Sequence, residues 1–122
     1  MVSTLSLVAL GGAIGAMGRF GLGLLLLRDG FPVAIMSVNV LGSFLMGAFV
    51  VWSFQKGMGH LNLLVMTGIL GGFTTFSAFS LEAYTLFEQG RIGAAGAYVA
   101  VSVVASLLAL AAGVAIARGL WA

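Results

Sequence analysis

The sequence LNLLVMTGILGGFTTFSAFSLEAYTLF, residues 61–87, gives the most specific fold signal in this 122-residue chain. It exceeds the length of about 20 apolar residues with which an α-helix crosses a bilayer, and its only charged residue is Glu82. At its centre, two glycines and two β-branched threonines make a poor helix interior. Two structures stay open: a break that exposes carbonyls such as those of Gly71 and Thr74, or an unbroken helix whose hydroxyls bond its own carbonyls. Converging carbonyls suit an alkali cation.

Three further apolar runs, at about 3–27, 32–54 and 92–117, join the run at 61–87 to predict four membrane spans. The chain is 61% hydrophobic and 7% charged, whereas a soluble domain carries about 25% charged residues. This composition argues against a water-soluble enzyme, a nucleic-acid binder and a disordered chain. No run alternates with period two, which argues against a membrane barrel. We therefore expect one all-α membrane domain over residues 1–122, with consecutive helices as antiparallel neighbours.

The few charges give almost no preferred orientation. Lys56 and Arg118 fall on the side of the N-terminus, Arg28 and Arg91 fall on the other, and Arg19 lies within the first span. Cytoplasmic loops normally carry the excess of Lys and Arg, and here the two sides are equal. Either the remaining charges suffice to orient the chain, or it inserts both ways and pairs as an antiparallel dimer.

Small residues recur four positions apart in every span. Such faces allow helix backbones to approach closely in lipid, so they predict tight packing between helices. The ridges are formed by Gly11 and Gly15, by Ser43 and Gly47, by Gly68 and Gly72, and by Ala109, Gly113 and Ala117.

Aromatic and amide groups within the spans allow either packing or ion contact. Phe73, Phe76 and Phe79 recur at a spacing of three and can form a packing stripe. Alternatively, their ring edges, which carry the positive end of the ring quadrupole, can face an anion. Asn39, in the second span, can join helices or present N–H donors to a ligand.

The fourth span carries one polar stripe, because Tyr98, Ser102 and Ser106 are four residues apart. Their hydroxyls can bond a neighbouring helix or line an ion track. Arg19 is the one cation deep in a span, ~13 Å from Arg28 at 1.5 Å per residue, and such residues are usually functional. Glu82 lies at a matching depth, so we hypothesise that the two side chains pair at an aqueous mouth.

These residues together resemble a known family. The string GGFTTFSAFSLE (residues 71–82) is similar to the signature of the fluoride-specific channels, the Fluc or CrcB-like family. GAMGRF (residues 15–20) resembles the arginine motif of the family's first span, and VNVLGSF (residues 38–44) resembles its second-span motif. The resemblance covers essentially the whole chain. One departure is that Ile35 stands where family members often carry a threonine.

The resemblance implies a fold and a function beyond what the spacing indicates. Members of this family are dual-topology homodimers, inserted antiparallel, with a third helix broken mid-membrane and two ion pathways near the interface. A structural sodium ion, which is not transported, would be held by backbone carbonyls of Gly71 and Thr74 from both subunits. Arg19 would lie in the vestibule. The fluoride pathway would be lined by Asn39, Phe76, Ser77, Phe79, Tyr98, Ser102 and Ser106.

The function implied is a passive fluoride-selective channel of the inner membrane. The membrane potential, negative inside, would expel fluoride through it and lower the cellular concentration. Small dual-topology multidrug exporters are an alternative, with Glu82 as the only candidate proton carrier. A non-transporting assembly subunit is a third possibility. No motif of an enzyme occurs: His60 is the only histidine, and cysteine is absent.

Overall fold

The computed structural model describes residues 2–26 and 33–121, and all regular structure in these two ranges is helical. The first, second and fourth spans are single helices, and the third is built from several pieces. The elements are α1 (Val2–Leu25), α2 (Val33–Gln55), a 3₁₀ turn (Gly59–Leu61), a π-helix (Leu63–Leu70), α3 (Gly71–Phe73), α4 (Phe76–Glu88) and α5 (Ile92–Trp121).

Four helical stretches in the described residues are long and apolar enough to cross a membrane. This confirms the prediction of an all-helical chain with four spans. The predicted end of the first span at Leu27 and the predicted start of the second at Pro32 lie outside the described residues. The four stretches are Val2–Leu25, Val33–Gln55, Gly59–Glu88 and Ile92–Gly119.

The largest helix contacts are not between consecutive spans, as the sequence predicts, although the second and third spans and the third and fourth spans do touch. Helix α1 packs mainly on the first half of the third span, the π-helix with α3, and α2 packs mainly on α5. Contact between α1 and α2 is slight. In both main pairs one span lies between the partners in the sequence, and the contacts advance in the same direction along both helices, so each pair is parallel. The prediction fails for the first and second spans, because a short loop only limits the distance between two helices, whereas the fit of small-residue ridges selects the main partner.

The predicted small-residue ridges form these parallel contacts. A Cβ on Gly11 would meet the Leu64 carbonyl, and one on Gly15 would lie 2.7 Å from the Phe73 nitrogen. Between α2 and α5, a Cβ on Gly47 would meet the Leu110 carbonyl. Because backbone touches backbone at these points, any side chain there would separate the helices.

The third span is interrupted at two threonines. Thr74 (φ −87°, ψ 158°) and Thr75 (φ −153°, ψ 122°) are extended and separate α3 from α4. The Thr74 amide makes the last bond of the preceding helix, to the Leu70 carbonyl at 3.0 Å. The Thr75 hydroxyl then caps α4 by accepting from the Ala78 amide at 3.1 Å. The two threonines therefore end one helix and start the next.

A small apolar cluster joins α4 to α5. Phe79, Leu86, Ala95 and Tyr98 are buried together, and Ile35 is among the α2 side chains packed against them. Most other large apolar side chains of the described residues are exposed in the single chain, as expected for helices that face lipid or another subunit.

Candidate functional site

A groove of about 420 Å³ lies beside the extended threonines, between the third span and helices α2 and α5. It brings together residues from three spans that are distant in sequence. Asn39, Phe76, Phe79, Ser102 and Ser106, which the sequence predicts as pathway residues, all line it. The remaining lining residues are Gly42, Ser43, Met46, Thr74, Thr75, Val103, Leu107 and Leu110.

Asn39 holds the extended segment through both ends of its amide. Its Nδ2 donates to the Thr75 carbonyl at 3.0 Å, and its Oδ1 accepts from the Thr75 amide at 2.8 Å. Asn39 therefore supplies the backbone partners that a continuous helix would have supplied. One of its two N–H donors is used in this way, and one is left for a second partner.

Arg19 and Glu82 do not pair, so that hypothesis is wrong for the single chain. The Arg19 Nε donates to the Gly72 carbonyl at 3.2 Å, whereas Glu82 accepts from the Tyr98 hydroxyl at 2.9 Å. The physical reason is that α1 packs on the first half of the third span, while Glu82 is on α4, which packs on α5. Arg19 and Glu82 were expected at a similar depth in the membrane, but they lie on helices that do not pack against each other.

The phenylalanine series is divided by the extended threonines. Phe73 packs near Gly18 of α1 and Gly42 of α2, at 3.6 and 3.3 Å from the Cβ positions of these glycines. Phe76 and Phe79 line the groove instead, with ring centroids 5.3 Å apart. Phe76 is 75% exposed and Phe79 only 7%. The spacing of three in the sequence therefore does not form one continuous stripe.

Tyr98 lies behind the groove. It is fully buried, its ring centroid is 5.3 Å from that of Phe79, and its hydroxyl reaches Glu82. Ser77 is exposed, and its Oγ lies 3.3 Å from the Thr75 hydroxyl. Neither Tyr98 nor Ser77 belongs to the groove lining. The predicted set of pathway residues is thus split between the groove itself and the residues that support it.

Ser102 has the least satisfied side chain in the groove. It is 4% exposed, and its hydroxyl is buried without a hydrogen-bond partner within the described residues. A buried hydroxyl without a partner costs about 1–3 kcal/mol. Ser106 follows one turn later and is half-buried on the same wall. This wall therefore has hydrogen-bonding capacity available for a bound species.

The extended segment has freed backbone carbonyls that fit a hard cation. In a continuous helix, the carbonyls of Gly71 and Thr74 would accept from the amides of Thr75 and Ala78. Here those amides donate to Asn39 and to the Thr75 hydroxyl. Carbonyl oxygens are ligands for alkali cations. Among the described residues, no cluster of acidic, histidine or cysteine side chains offers a metal site, so the fit rests on the backbone alone.

Thr75 is the main residue that the sequence reasoning missed. It is bonded to Asn39 by its backbone and caps α4 by its hydroxyl. A local signal existed, because threonine is a preferred N-cap and the following residues resume a helical pattern. Gly42 was also missed: a Cβ there would meet the Thr74 side chain, so the glycine allows α2 to approach the extended segment.

The spans and groove define a small multi-pass membrane protein with a mainly apolar cleft, lined by an amide and several hydroxyls, beside an interrupted span. Comparison with known proteins gives the family. Residues 6–114 match the family model described as CrcB-like protein, Camphor Resistance (CrcB). The chain belongs to the CrcB-like family.

Similar proteins from other organisms cover nearly the whole chain. It is 58% identical to a protein of Roseobacter denitrificans named fluoride-specific ion channel FluC, over 98% of this chain and 99% of that one. Proteins with the same name from a Ruegeria species and from Cereibacter sphaeroides are 57% and 55% identical, each over 98% of both chains. The resemblance inferred from the motifs is therefore confirmed.

Proposed function

We propose that this protein is a passive fluoride-selective channel that lets fluoride leave the cell across the inner membrane. The groove carries the proposal, since its lining combines serine hydroxyls, phenylalanine rings and an amide from three spans beside the extended threonines. Relatives at 55–58% identity are named fluoride-specific ion channels, which supports fluoride as the ion.

The proposed chemistry replaces the hydration shell of fluoride. Removing water from a small anion is very costly unless other donors take its place. Ser102 has an unused buried hydroxyl and Asn39 an uncommitted N–H, while the edges of Phe76 and Phe79 supply weaker positive ends. Weak, multiple donors favour conduction because the ion must also leave. A membrane potential, negative inside, drives an anion outward by about 2.3 kcal/mol per 100 mV.

The proposal includes an antiparallel homodimer with a structural sodium ion. One copy offers two freed carbonyls, of Gly71 and Thr74, which is too few for an alkali cation, so a second copy would complete the set. The exposed Phe76 ring and the open groove support a partner on this side. Because the chain lacks cysteine, Lys56→Cys provides a single label. About half of the introduced thiol should be accessible to a labelling reagent from each side of sealed vesicles. Complete labelling from one side would contradict dual topology.

Fluoride efflux from liposomes tests the function directly. Vesicles loaded with potassium fluoride and the purified chain should release fluoride to an electrode only after a potassium ionophore removes the opposing potential. Vesicles loaded with chloride should retain it. Equal release of both anions would contradict selectivity, and fluoride release that needs no ionophore would contradict a passive uncoupled pathway.

Two groove variants and a matched control locate the pathway. Phe76→Ile and Phe79→Ile remove aromatic rings from the groove lining and should each slow fluoride release at least about tenfold, because the proposed contacts of ring edges with the ion are lost. Phe87→Ile, on the same helix but outside the groove lining, should release fluoride at the unchanged rate. Equal slowing by all three variants would place the pathway elsewhere.

The exporter alternative gains no support from the site. Its candidate proton carrier, Glu82, is hydrogen bonded to Tyr98 rather than open in the groove. Proton-driven export of an aromatic cation that is lost in Glu82→Gln would favour the exporter over the channel.

A further inference from the structure

Two glycines, Gly71 and Gly72, precede Phe73 and the extended threonines in the third span. Neither has a side chain to restrict its backbone, and the Gly72 backbone packs closely on α1, where an added Cβ would lie 2.7 Å from the Gly12 carbonyl oxygen. The Gly72 carbonyl would normally accept from the amide of Phe76, but Phe76 begins a separate helix beyond the extended segment. The Gly72 carbonyl therefore needs a hydrogen-bond donor from outside the third span.

Arg19 occupies that position. Its Nε donates to the Gly72 carbonyl at 3.2 Å, from a different span and from a half-buried position. The bond joins α1 to the last residues of the first half of the third span. A cation there also complements the negative end of the helix dipole. Asn39 holds the other side of the interruption through Thr75.

We propose that Arg19 is a positioning residue: its bond to the Gly72 carbonyl fixes the end of the first half of the third span. Asn39 and Arg19 then hold the interrupted segment from two different helices. By fixing Gly72, Arg19 orients the adjacent Gly71 carbonyl and the start of α4, which carries Phe76. This role differs from electrostatic attraction of an anion, because it requires a hydrogen-bond donor at the position of the Arg19 Nε. Its consequence for flux rests on the proposed channel function.

Three substitutions of Arg19 separate the effect of its hydrogen bond from the effect of its positive charge. In glutamine, the amide nitrogen stands the same number of bonds from the backbone as the Nε of arginine, so Arg19→Gln retains the donor and removes the charge. Arg19→Lys keeps the charge but moves the donor one bond further out. Arg19→Met has a similar length and provides neither. Arg118→Met is the matched control, since it removes an exposed cation near the end of α5.

Backbone hydrogen exchange is the readout that is independent of transport. The amides of Thr74 and Thr75 are bonded to Leu70 and Asn39 in the intact protein, so they report on the segment. Arg19→Met should speed their exchange about tenfold, the loss expected for one charge-assisted hydrogen bond. Arg19→Gln and Arg118→Met should stay within about twofold of the parent. Exchange in α5 should be unchanged in all variants.

Three results would overturn the inference. In the first, Arg19→Met leaves the exchange of Thr74 and Thr75 unchanged. In the second, Arg19→Lys keeps the protection while Arg19→Gln loses it, because charge alone would then explain the residue. In the third, exchange rises equally in α5, because the effect would then be general destabilisation.

Fluoride efflux measured with the same variants tests whether the hydrogen bond of Arg19 affects the rate of fluoride release. Arg19→Gln should restore most of the fluoride release that Arg19→Met loses. Release that follows charge, with Arg19→Lys active and Arg19→Gln inactive, would overturn the positioning role. If the parent itself releases no fluoride, the proposed function fails, while the exchange measurement still decides the role of Arg19.

Discussion

The two halves of the third span pack in opposite ways. The first half touches α1 through glycine backbones, with a Cβ on Gly68 only 2.8 Å from the Gly11 Cα. The second half, α4, packs on α5 through the rings of Phe79 and Tyr98. Close backbone contact leaves no room for a ligand, whereas large side chains hold helices apart and leave a groove beside them.

This contrast shows how so apolar a chain can hold hydrogen-bonding groups beside a groove. The glycine side provides a rigid support, because close packing maximises dispersion contacts where lipid gives no hydrophobic drive between helices. The aromatic side borders the groove, where the Ser102 hydroxyl has no partner among the described residues. We therefore expect substitutions at the glycine contacts to affect folding, and removal of the Ser102 hydroxyl to affect flux with little change in folding.

The largest effect is expected at Gly15. A Cβ there would meet the Ile69 carbonyl and lie 2.7 Å from the Phe73 nitrogen, so Gly15→Ala must separate two helices and should cost about 3 kcal/mol or more. Gly12→Ala is the control, because its Cβ would meet no atom within 4 Å. Thermal unfolding in detergent measures both. An equal melting temperature for the two variants would contradict the described close contact.

An intermediate effect is expected at Asn39, where the two regions meet. Asn39→Leu removes both bonds to Thr75 and leaves a half-buried N–H and C=O without their partner, at a cost of about 3 kcal/mol. Hydrogen exchange of the Thr75 amide should rise, and fluoride release should fall. Ser43→Ala, on the same groove wall one turn later, should leave the Thr75 amide protected. Unchanged protection in Asn39→Leu would show that the amide does not hold the segment.

The smallest effect on stability is expected at Ser102. Because its buried hydroxyl lacks a partner among the described residues, Ser102→Ala should leave the free energy of unfolding unchanged or raise it by up to about 1 kcal/mol. Fluoride release should nevertheless slow severalfold, since a donor is lost from the groove. A clear fall in melting temperature would mean that the hydroxyl is bonded in the folded protein, and unchanged release would remove Ser102 from the pathway.

Much of the site was predictable because it depends on residue type and local spacing. The four spans follow from the length of the apolar runs. The ridges of small residues, including Gly11, Gly15 and Gly47, were predicted as helix contacts and are found as such. Asn39, Phe76 and Ser102 were selected from the sequence and do line one groove. Their roles in conducting an ion stay a prediction.

The partners of the polar side chains were not predictable in the same way. Arg19 was expected near Glu82, but it bonds Gly72, and Glu82 bonds Tyr98. Asn39 was expected to serve a ligand or another helix, and it uses both ends of its amide on one peptide unit, that of Thr75. Each of these hydrogen bonds joins two different spans, so it depends on which faces of the two spans meet.

Residue types and local periodicity are enough to predict the number of spans, their small-residue faces and the polar groups within them. The packing of the helices places α1 along the third span and α2 along α5, and so selects which side chains meet. The physical reason is that span length and helical period are properties of a continuous segment. The partner of a helix instead depends on the fit between two surfaces, and loop length does not select that fit.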